Sequence, residues 1–405
     1  MRRRAASTLL IARAVYAFSW YNVGAVLPLI GSGLRASTTD LGIVLGAFLV
    51  GAAAFQIPAG LAALRWGNRN VSLTALAVMG AFALASGFSP NWIVLAVLRF
   101  GTGVGAAFFF APALGLIASF YPAGSRGPVI GFYNAGFSVG AGLGTIGGAI
   151  VGVALGWSWA LAIGGFGLLA IAAVATTVVP APGPKFVSGA SAAAPRAGLS
   201  VLRTRTVWAI ALGTAGLWAS SYILAQYTVE YAAAVHPAWS VTLAATLPTA
   251  LILIEIVGAP IGGWLAERSR NMGDLLLLYG APAGAAVLLI PFLPFVGLAA
   301  VFLFFGFVTG IVFADLYLMP SYLPGVERES LSLALALMNG IQIFLGSALA
   351  ILFAFVAAGF GYTIAWFYAG LVALAPLPLL FAVTGARREP GVRVSATLPS
   401  PDQPA

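Results

Sequence analysis

Three ionisable side chains fall inside long apolar runs of the chain. Arg99 stands in NWIVLAVLRFGTGVG, Glu255 in TALILIEIVGAP and Asp315 in GIVFADLYL. Because a charge inside a membrane helix costs about 3 kcal/mol on insertion scales, each is expected to face a wet cavity or a partner. A carboxyl group shielded from water favours its protonated form, whereas an arginine keeps its charge and attracts anions. We therefore predict roles in proton coupling for Glu255, Asp315 and Arg99.

These residues allow two functional assignments. In the first, Glu255 binds the coupling proton and Arg99 anchors an anionic substrate. In the second, Glu255 recognises a cationic or hydrophobic substrate and exchanges it for protons. A purely structural alternative also stands, in which Arg99 supports the fold and Glu255 is buried beside a hydroxyl or beside Arg99. Asp315 either shares the coupling role or meets the loop that follows its helix.

The composition sets these residues in a membrane protein. Of the 405 residues 61% are hydrophobic and only 7% are charged, and the mean hydropathy is +1.03. A soluble protein needs a polar exterior that this composition does not supply. Apolar runs of about 20 residues recur along the chain, and each is long enough to cross a lipid bilayer. The net charge of +9 comes mainly from short loops, which indicates topology and anionic lipid and not nucleic acid.

The residue types argue against other functional classes. The chain has no cysteine and one histidine, His236 in a loop, so we expect no metal ion, no cofactor and no thiol chemistry. An enzyme would need a nucleophile or a metal-ligand set, and no such motif is present. A channel would need a charge ring or a repeated carbonyl filter, and the sequence shows neither.

Hydropathy predicts twelve transmembrane helices in two halves. The predicted segments are at about 9–31, 41–63, 71–89, 92–119, 128–152, 157–179, 206–232, 240–265, 274–293, 297–320, 330–356 and 361–383. A stretch rich in Pro, Gly, Ser and Ala separates the sixth from the seventh and is typical of a flexible linker. The predicted organisation is a six-helix bundle at 1–180, a linker at 181–205, a second six-helix bundle at 206–385 and a disordered tail at 386–405.

The basic residues predict the orientation of these helices. If the N-terminus is cytoplasmic, seventeen of the nineteen basic residues fall on the cytoplasmic side, and only Arg35 falls outside. An excess of arginine and lysine in cytoplasmic loops is the main determinant of membrane topology. Both termini are therefore predicted to be cytoplasmic, in a multi-pass protein of the cell membrane.

The two halves repeat each other. Pro122 and Arg126 recur as Pro324 and Arg328, and FGTGVG from Phe100 recurs as FGFVTG from Phe305. The first and seventh helices also begin alike, with RAVYA and RTVWA. Parallel repeats of this kind place two bundles on either side of a central site.

Across residues 1–390 the sequence resembles the major facilitator superfamily. The family's loop between helices two and three reads Gly-x-x-x-Asp-Arg-x-Gly-x-Arg; this chain matches it at Gly60, Arg65, Gly67 and Arg69 but has Leu64 in place of the acid. The second half keeps Gly263, Glu267 and Arg268 and has Arg270 where the later glycine would stand. By resemblance these loops help to latch the halves together in the outward-open state. Alternatively, Arg65 and Arg69 serve only to fix the topology.

Two further elements bear on the resemblance. Arg99, Gly103 and Gly105 resemble the family's Arg-x-x-x-Gly-x-Gly element on helix four. On helix five, Gly136, Gly140, Gly144 and Gly148 recur at every fourth residue and leave one face bare for close packing by another helix. The family's antiporters add a proline after a glycine on this helix, and its absence here argues against export.

The resemblance implies transport of a small organic solute by alternating access, without enzymatic chemistry, by a protein that we expect to be a monomer. We favour proton-coupled symport of an organic anion. The alternatives are a proton-coupled antiporter for drugs or lipophilic cations, and a receptor or scaffold that transports nothing. Family pathways are lined by helices one, four, seven and ten, with five, eight and eleven beside them. The predicted substrate-binding residues are Arg99, Asn22, Tyr222, Asn339 and Gln342.

Overall fold

The computed structural model describes residues 2–121, 126–180, 204–269, 272–318 and 331–383. The predicted linker, apart from Thr204 and Arg205, and the predicted tail lie outside these residues, as do Pro122, Pro324 and Arg328. Helices of the first half are α1 Arg2–Tyr21, α2 Leu27–Leu34, α3 Thr38–Ala54, α4 Gln56–Trp66, α5 Asn68–Ser86, α6 Trp92–Ser119, α7 Arg126–Leu155 and α8 Trp157–Val178. Helices of the second half are α9 Arg205–Val235, α10 Val241–Arg268, α11 Met272–Val287, α12 Phe295–Leu318, α13 Leu331–Phe360 and α14 Tyr362–Leu374.

The all-helical fold confirms the predicted class. Among the described residues ten helical segments are long and apolar enough to cross a membrane, or eleven if the bent pair α3–α4 is one span. The predicted segment 274–293 corresponds to a shorter helix, α11, with an apolar stretch at Gly273–Val287. Short 3₁₀ turns complete three segments, at Gly24–Val26, Ile290–Phe292 and Leu377–Val383.

Two predicted segments are not single helices. The first breaks after Tyr21 and resumes as α2 with Pro28 in its first turn. The second bends by 41° between α3 and α4, three residues before Pro58. A proline inside a helix removes one hydrogen bond and clashes with the carbonyl group four residues earlier, which for Pro58 is the carbonyl of Ala54, where α3 ends. A proline thus lies close to each of the two breaks, which hydropathy alone does not show.

The predicted internal repeat is present in the backbone. Helices α7 and α13 both contain 30 residues, and each is followed by a glycine with positive φ: Gly156 at 91° and Gly361 at 84°. An L side chain rarely adopts that conformation, so glycine is favoured at both turns. These glycines are 205 residues apart, the same interval that separates FGTGVG from FGFVTG in the sequence.

The two halves meet through two helix pairs. Helix α3 of the first half packs on α13 of the second, and α7 packs on α10. We call the end of the molecule that carries Arg65, Arg69 and Arg268 the basic end. Gly42 and Gly46 of α3, which lie toward the other end, face Ala354 and Ile351 of α13.

The end opposite the basic end is closed. Gly24, in the 3₁₀ turn after α1, lies against the backbone of Gln226 on α9. Small residues from both halves form a buried cluster beside it: Ala25, Ala149, Val229, Ala232, Ala244 and Ala245. At the basic end, a Cβ at Gly60 of α4 or at Gly340 of α13 would meet no atom of the described residues within 4 Å. In this conformation the two halves are thus in close contact at the end opposite the basic end.

The predicted glycine ladder on α7 is confirmed. Gly140 and Gly144 lie against the backbone of Ala14 and Phe18 on α1, Gly148 lies against that of Asn22 directly after α1, and Gly136 faces the carbonyl oxygen of Leu10. Without Cβ atoms on this face the two helices approach closely along several turns. The glycine ladder therefore determines which face of α1 packs against α7.

Candidate functional site

Glu255 lies where three helices of the second half meet. Gly306 and Gly310 of α12 pack against the backbone of Leu251 and Glu255 on α10, so the two helices touch at this point. The close approach brings the Thr309 hydroxyl within 3.2 Å of Glu255 Oε1.

A second hydroxyl reaches the same carboxyl oxygen from α9. Ser221 Oγ lies 3.4 Å from Glu255 Oε1, and the Glu255 side chain is partly exposed. Two neutral hydroxyl groups can donate to a carboxylate or accept from the protonated acid, so this site can accommodate both forms of the group.

Arg99 is almost fully buried, with 2% of its surface exposed. Its Nη1 lies 3.3 Å from the carbonyl oxygen of Ser19, and its Nη2 lies 3.5 Å from that of Trp20. Both carbonyl groups belong to the last turn of α1, whose carbonyl groups lack intrahelical partners and attract a cation. The guanidinium also lies 4.8 Å from the ring centre of Phe48, and its Nε has no hydrogen-bond partner among the described residues. Arg99 thus secures the point where the first membrane segment breaks.

Two tyrosines connect the halves near these charges. Tyr222 of α9 stacks on Trp218, with ring centres 5.8 Å apart, and it interacts electrostatically with Arg99 of the first half. Tyr21 of α1 lies near Glu255 and Tyr222 of the second half. The structure therefore brings Arg99, Tyr222 and Glu255 into one region at the interface.

The other predicted substrate-binding residues occupy different surroundings. Asn22 is buried and donates from Nδ2 to the carbonyl oxygen of Ala160 at 2.7 Å. Gln342 is also buried and donates from Nε2 to Thr214 Oγ1 at 2.8 Å. Both contacts join helices within one half. Asn339, one turn before Gln342 on α13, is partly exposed and remains available to a solute.

Arg13 is a buried cation that our sequence analysis treated only as part of the topology. Its guanidinium lies within 5.1 Å of the ring centres of Tyr16, Phe110, Tyr133 and Phe137, and 6% of its surface is exposed. Its Nε and Nη1 have no hydrogen-bond partner in the described part of the chain. The sequence places Arg13 within the predicted segment 9–31, which could have identified it as a cation inside the membrane. Because the residues before that segment are also basic, Arg13 was counted with them.

Glu230 is a second buried ionisable group that the sequence analysis missed. It lies near the end of α9 with 6% of its surface exposed. Its Oε2 has no hydrogen-bond partner among the described residues, and Thr38 of the first half and Tyr362 of the second lie nearby. Glu230 is thus part of the closed end. Because it lies close to the end of the predicted helix 206–232, the sequence did not distinguish it from a charged residue in a loop.

The loop between α4 and α5 shows separate roles for its motif residues. Gly67 has a φ of 80° and links the two helices, so glycine is favoured at this position of the motif. Arg69 donates from Nε to the carbonyl oxygen of Val179 and from Nη2 to that of Thr176, both at 2.8 Å. It thereby ties α5 to the end of α8 within the first half. Arg65 is exposed, and its guanidinium lies 5.7 Å from the ring centre of Trp66.

The corresponding loop of the second half, at the end of α10, repeats one of these features. Arg268 is exposed and lies over the ring of Trp264, 4.1 Å from its centre, as Arg65 lies over Trp66. Gly263 is partly buried on α10. The side chains of Leu64, Glu267 and Asp315 lie outside the described residues, so the roles predicted for the latter two stay predictions.

This fold defines a membrane transporter of two repeated helical halves around an interface that holds buried charges. The chain belongs to the Major Facilitator Superfamily, whose family model matches residues 9–346. Its relatives are transporters and not enzymes.

The relatives in sequence and in structure agree with this assignment. The chain is 31% identical over 159 residues to the 4-hydroxybenzoate transporter PcaK of Pseudomonas putida, a match covering 39% of this chain and 35% of that protein. It is 28% identical over 133 residues to the hexuronate transporter of Bacillus subtilis, covering 33% and 31%. The chain thus matches about a third of the length of these relatives. The fold resembles a bacterial homolog of the human lysosomal transporter Spinster in an inward-facing and occupied conformation, with a TM-score of 0.80, 17% identity and coverage of 95% of this chain and 98% of that one.

Proposed function

We propose that this transporter moves an organic anion together with a proton across the cytoplasmic membrane, as a monomer, by alternating access. One observation carries the proposal: Glu255 is held by hydroxyl groups from α9 and α12 at an interface whose other half carries the buried cation Arg99. A carboxyl group in such a place exchanges a proton at low cost, and a buried cation favours an anionic solute.

The relatives support the choice of an anion. 4-Hydroxybenzoate and hexuronate, named for two of them, are both carboxylates. A solute that carries one negative charge and moves with one proton crosses without net charge. Protonation of Glu255 also removes the repulsion between its carboxylate and that of the solute.

Each predicted site residue has a part in this proposal. Tyr222 and Asn339 contact the solute, Arg99 attracts it through its positive charge, and Asn22 and Gln342 position the helices that present it. The loops with Gly60, Arg65, Gly67, Arg69, Gly263, Glu267 and Arg268 control the basic end, which faces the cytoplasm. The conformation described here is then inward-facing. Asp315, near that end, is proposed to pass protons to the cytoplasm.

Uptake of labelled solutes by proteoliposomes tests the proposal. With the lumen alkaline relative to the medium, we expect 4-hydroxybenzoate or glucuronate to accumulate above the level in protein-free liposomes, and a protonophore to abolish the accumulation. Accumulation of lipophilic cations into acidic vesicles, without movement of carboxylates, would instead identify a drug–proton antiporter. If no solute moves under any gradient, the protein is a receptor or scaffold.

A further inference from the structure

We use the name Arg13 cage for the guanidinium of Arg13 together with the four rings around it, those of Tyr16, Phe110, Tyr133 and Phe137. We propose that the Arg13 cage binds the carboxylate of an aromatic acid during transport. The inference rests on the proposed function, because it names the class of anion and the side chains that receive it.

The first argument is the unfilled hydrogen-bonding capacity of Arg13. Nε carries one hydrogen and Nη1 carries two, and none of these has an acceptor among the described residues. The rings attract the positive charge through their π faces but accept no conventional hydrogen bond. A buried polar group without a partner is unfavourable unless function requires it. A carboxylate supplies the oxygen atoms that these donors lack.

The second argument is the route from the Arg13 cage to the interface. Phe137 lies 4.4 Å from the guanidinium, and its ring packs edge-on against Tyr21 at 5.8 Å. The Tyr21 side chain lies near both Arg13 and Glu255. Aromatic side chains therefore separate the cation of the first half from the carboxyl group of the second. Rotation of Phe137 away from Tyr21 admits an anion to Arg13.

The third argument concerns the rest of the solute. Around the Arg13 cage the neighbouring side chains are again aromatic: Trp20 lies 5.5 Å from Phe137, and Phe109 lies 5.5 Å from Tyr16. A flat ring stacks among these side chains with favourable geometry. A polyhydroxylated acid would bury hydroxyl groups that find few acceptors there, at a cost in affinity. The surroundings therefore select an aromatic carboxylate.

Calorimetric titration of the purified full-length protein tests the inference. The probes are benzoate, its neutral isostere benzamide, and cyclohexanecarboxylate, which has the charge but no aromatic ring. Wild-type protein is expected to bind benzoate more tightly than either analogue. Arg13→Gln is expected to weaken benzoate binding by at least about tenfold, a loss of one charge-assisted contact. Arg3→Gln, which removes an exposed cation from the same helix, is the matched control and should bind as wild type does.

Two further variants keep the test decisive if Arg13→Gln does not fold. Arg13→Lys keeps the charge but loses the planar donors, and Phe137→Leu keeps the charge but loses one ring. Both are expected to weaken benzoate binding, and Phe137→Leu is expected to reduce the preference over cyclohexanecarboxylate. Wild-type affinity for benzoate in Arg13→Gln or Arg13→Lys would overturn the inference.

The outcomes separate this inference from the proposed function. If wild-type proteoliposomes accumulate glucuronate with protons while the Arg13 variants bind benzoate unchanged, the inference fails and proton-coupled anion transport stands. If wild-type protein neither binds nor transports any carboxylate of the panel, the proposed function fails and the inference fails with it.

Discussion

Thr309 Oγ1 lies 3.2 Å from Oε1 of Glu255, at the point where Gly310 lets α12 approach the backbone of α10. Ser221 approaches the same oxygen from α9. The Glu255 carboxyl group, carried on α10, thus contacts hydroxyl groups from both α9 and α12. Any change in its protonation alters contacts to both neighbouring helices, which is what coupling between a proton and a conformational change requires.

Glu255→Gln should uncouple transport from the proton gradient. The amide keeps the size and hydrogen-bonding capacity of the protonated acid but cannot release a proton. We expect loss of gradient-driven accumulation of 4-hydroxybenzoate and retention of its exchange between the two sides, measured by counterflow. Thr309→Val should shift the pH dependence of uptake, with Thr309→Ser as the control that keeps the hydroxyl group. Normal gradient-driven accumulation in Glu255→Gln would exclude Glu255 as the proton carrier.

Arg99→Gln should lower stability. Two carbonyl groups at the end of α1 would lose a charged donor inside the protein, at a cost of about 1–3 kcal/mol. Thermal melting of the ligand-free protein should therefore show a lower midpoint than in Arg13→Gln, whose Nε and Nη1 have no hydrogen bonds to lose. An unchanged midpoint in Arg99→Gln would contradict the proposed capping of α1.

Gly60→Leu should trap the conformation described here. A Cβ at Gly60 meets no atom of the described residues within 4 Å, so a side chain can begin at this position in this state. In the opposite state we expect α4 to pack on α13 near Gly340, as α3 packs on α13 at the other end. Since the natural chain has no cysteine, spin labels at Trp66→Cys and Trp264→Cys report the distance between the two halves at the basic end. Gly60→Leu should retain only the longer separation; a shorter one appearing on addition of solute would refute this packing.

Gly24→Ala should act in the opposite direction. Its Cβ would collide with the backbone of Gln226, which destabilises the closed end of the molecule. With the same spin labels, the population with a shorter distance between the two halves at the basic end should increase. Gly131→Ala is a suitable control, because a Cβ there meets no atom of the described residues within 4 Å. Equal distance distributions in the two variants would show that the contact between Gly24 and Gln226 does not govern closure.

Much of the fold follows from local sequence. Hydropathy depends on residues close together in the chain, and the ladder on α7 depends only on spacing. The 205-residue repeat is found by comparing two stretches of the sequence, without knowledge of their contacts. The same information identified Glu255 and Arg99, because a charge in an apolar run is conspicuous without knowledge of its partners.

The surroundings of those charges required the structure. The partners of Arg13 come from α1, α6 and α7, so no single stretch of sequence reveals that four rings surround it. Similarly, the contact of Thr309 with Glu255 joins residues 54 positions apart. The break after Tyr21 was also not predicted, because an apolar sequence continues through it and only Pro28 marks the restart.

The central claim is that a proton moves with an organic anion through Glu255. The most direct measurement is the internal pH of proteoliposomes when 4-hydroxybenzoate is added outside, with protein-free liposomes subtracted to remove passive diffusion of the acid. The account predicts acidification of the lumen by wild-type protein and none beyond background by Glu255→Gln. Equal acidification by both proteins, or uptake of the anion without acidification, would contradict it.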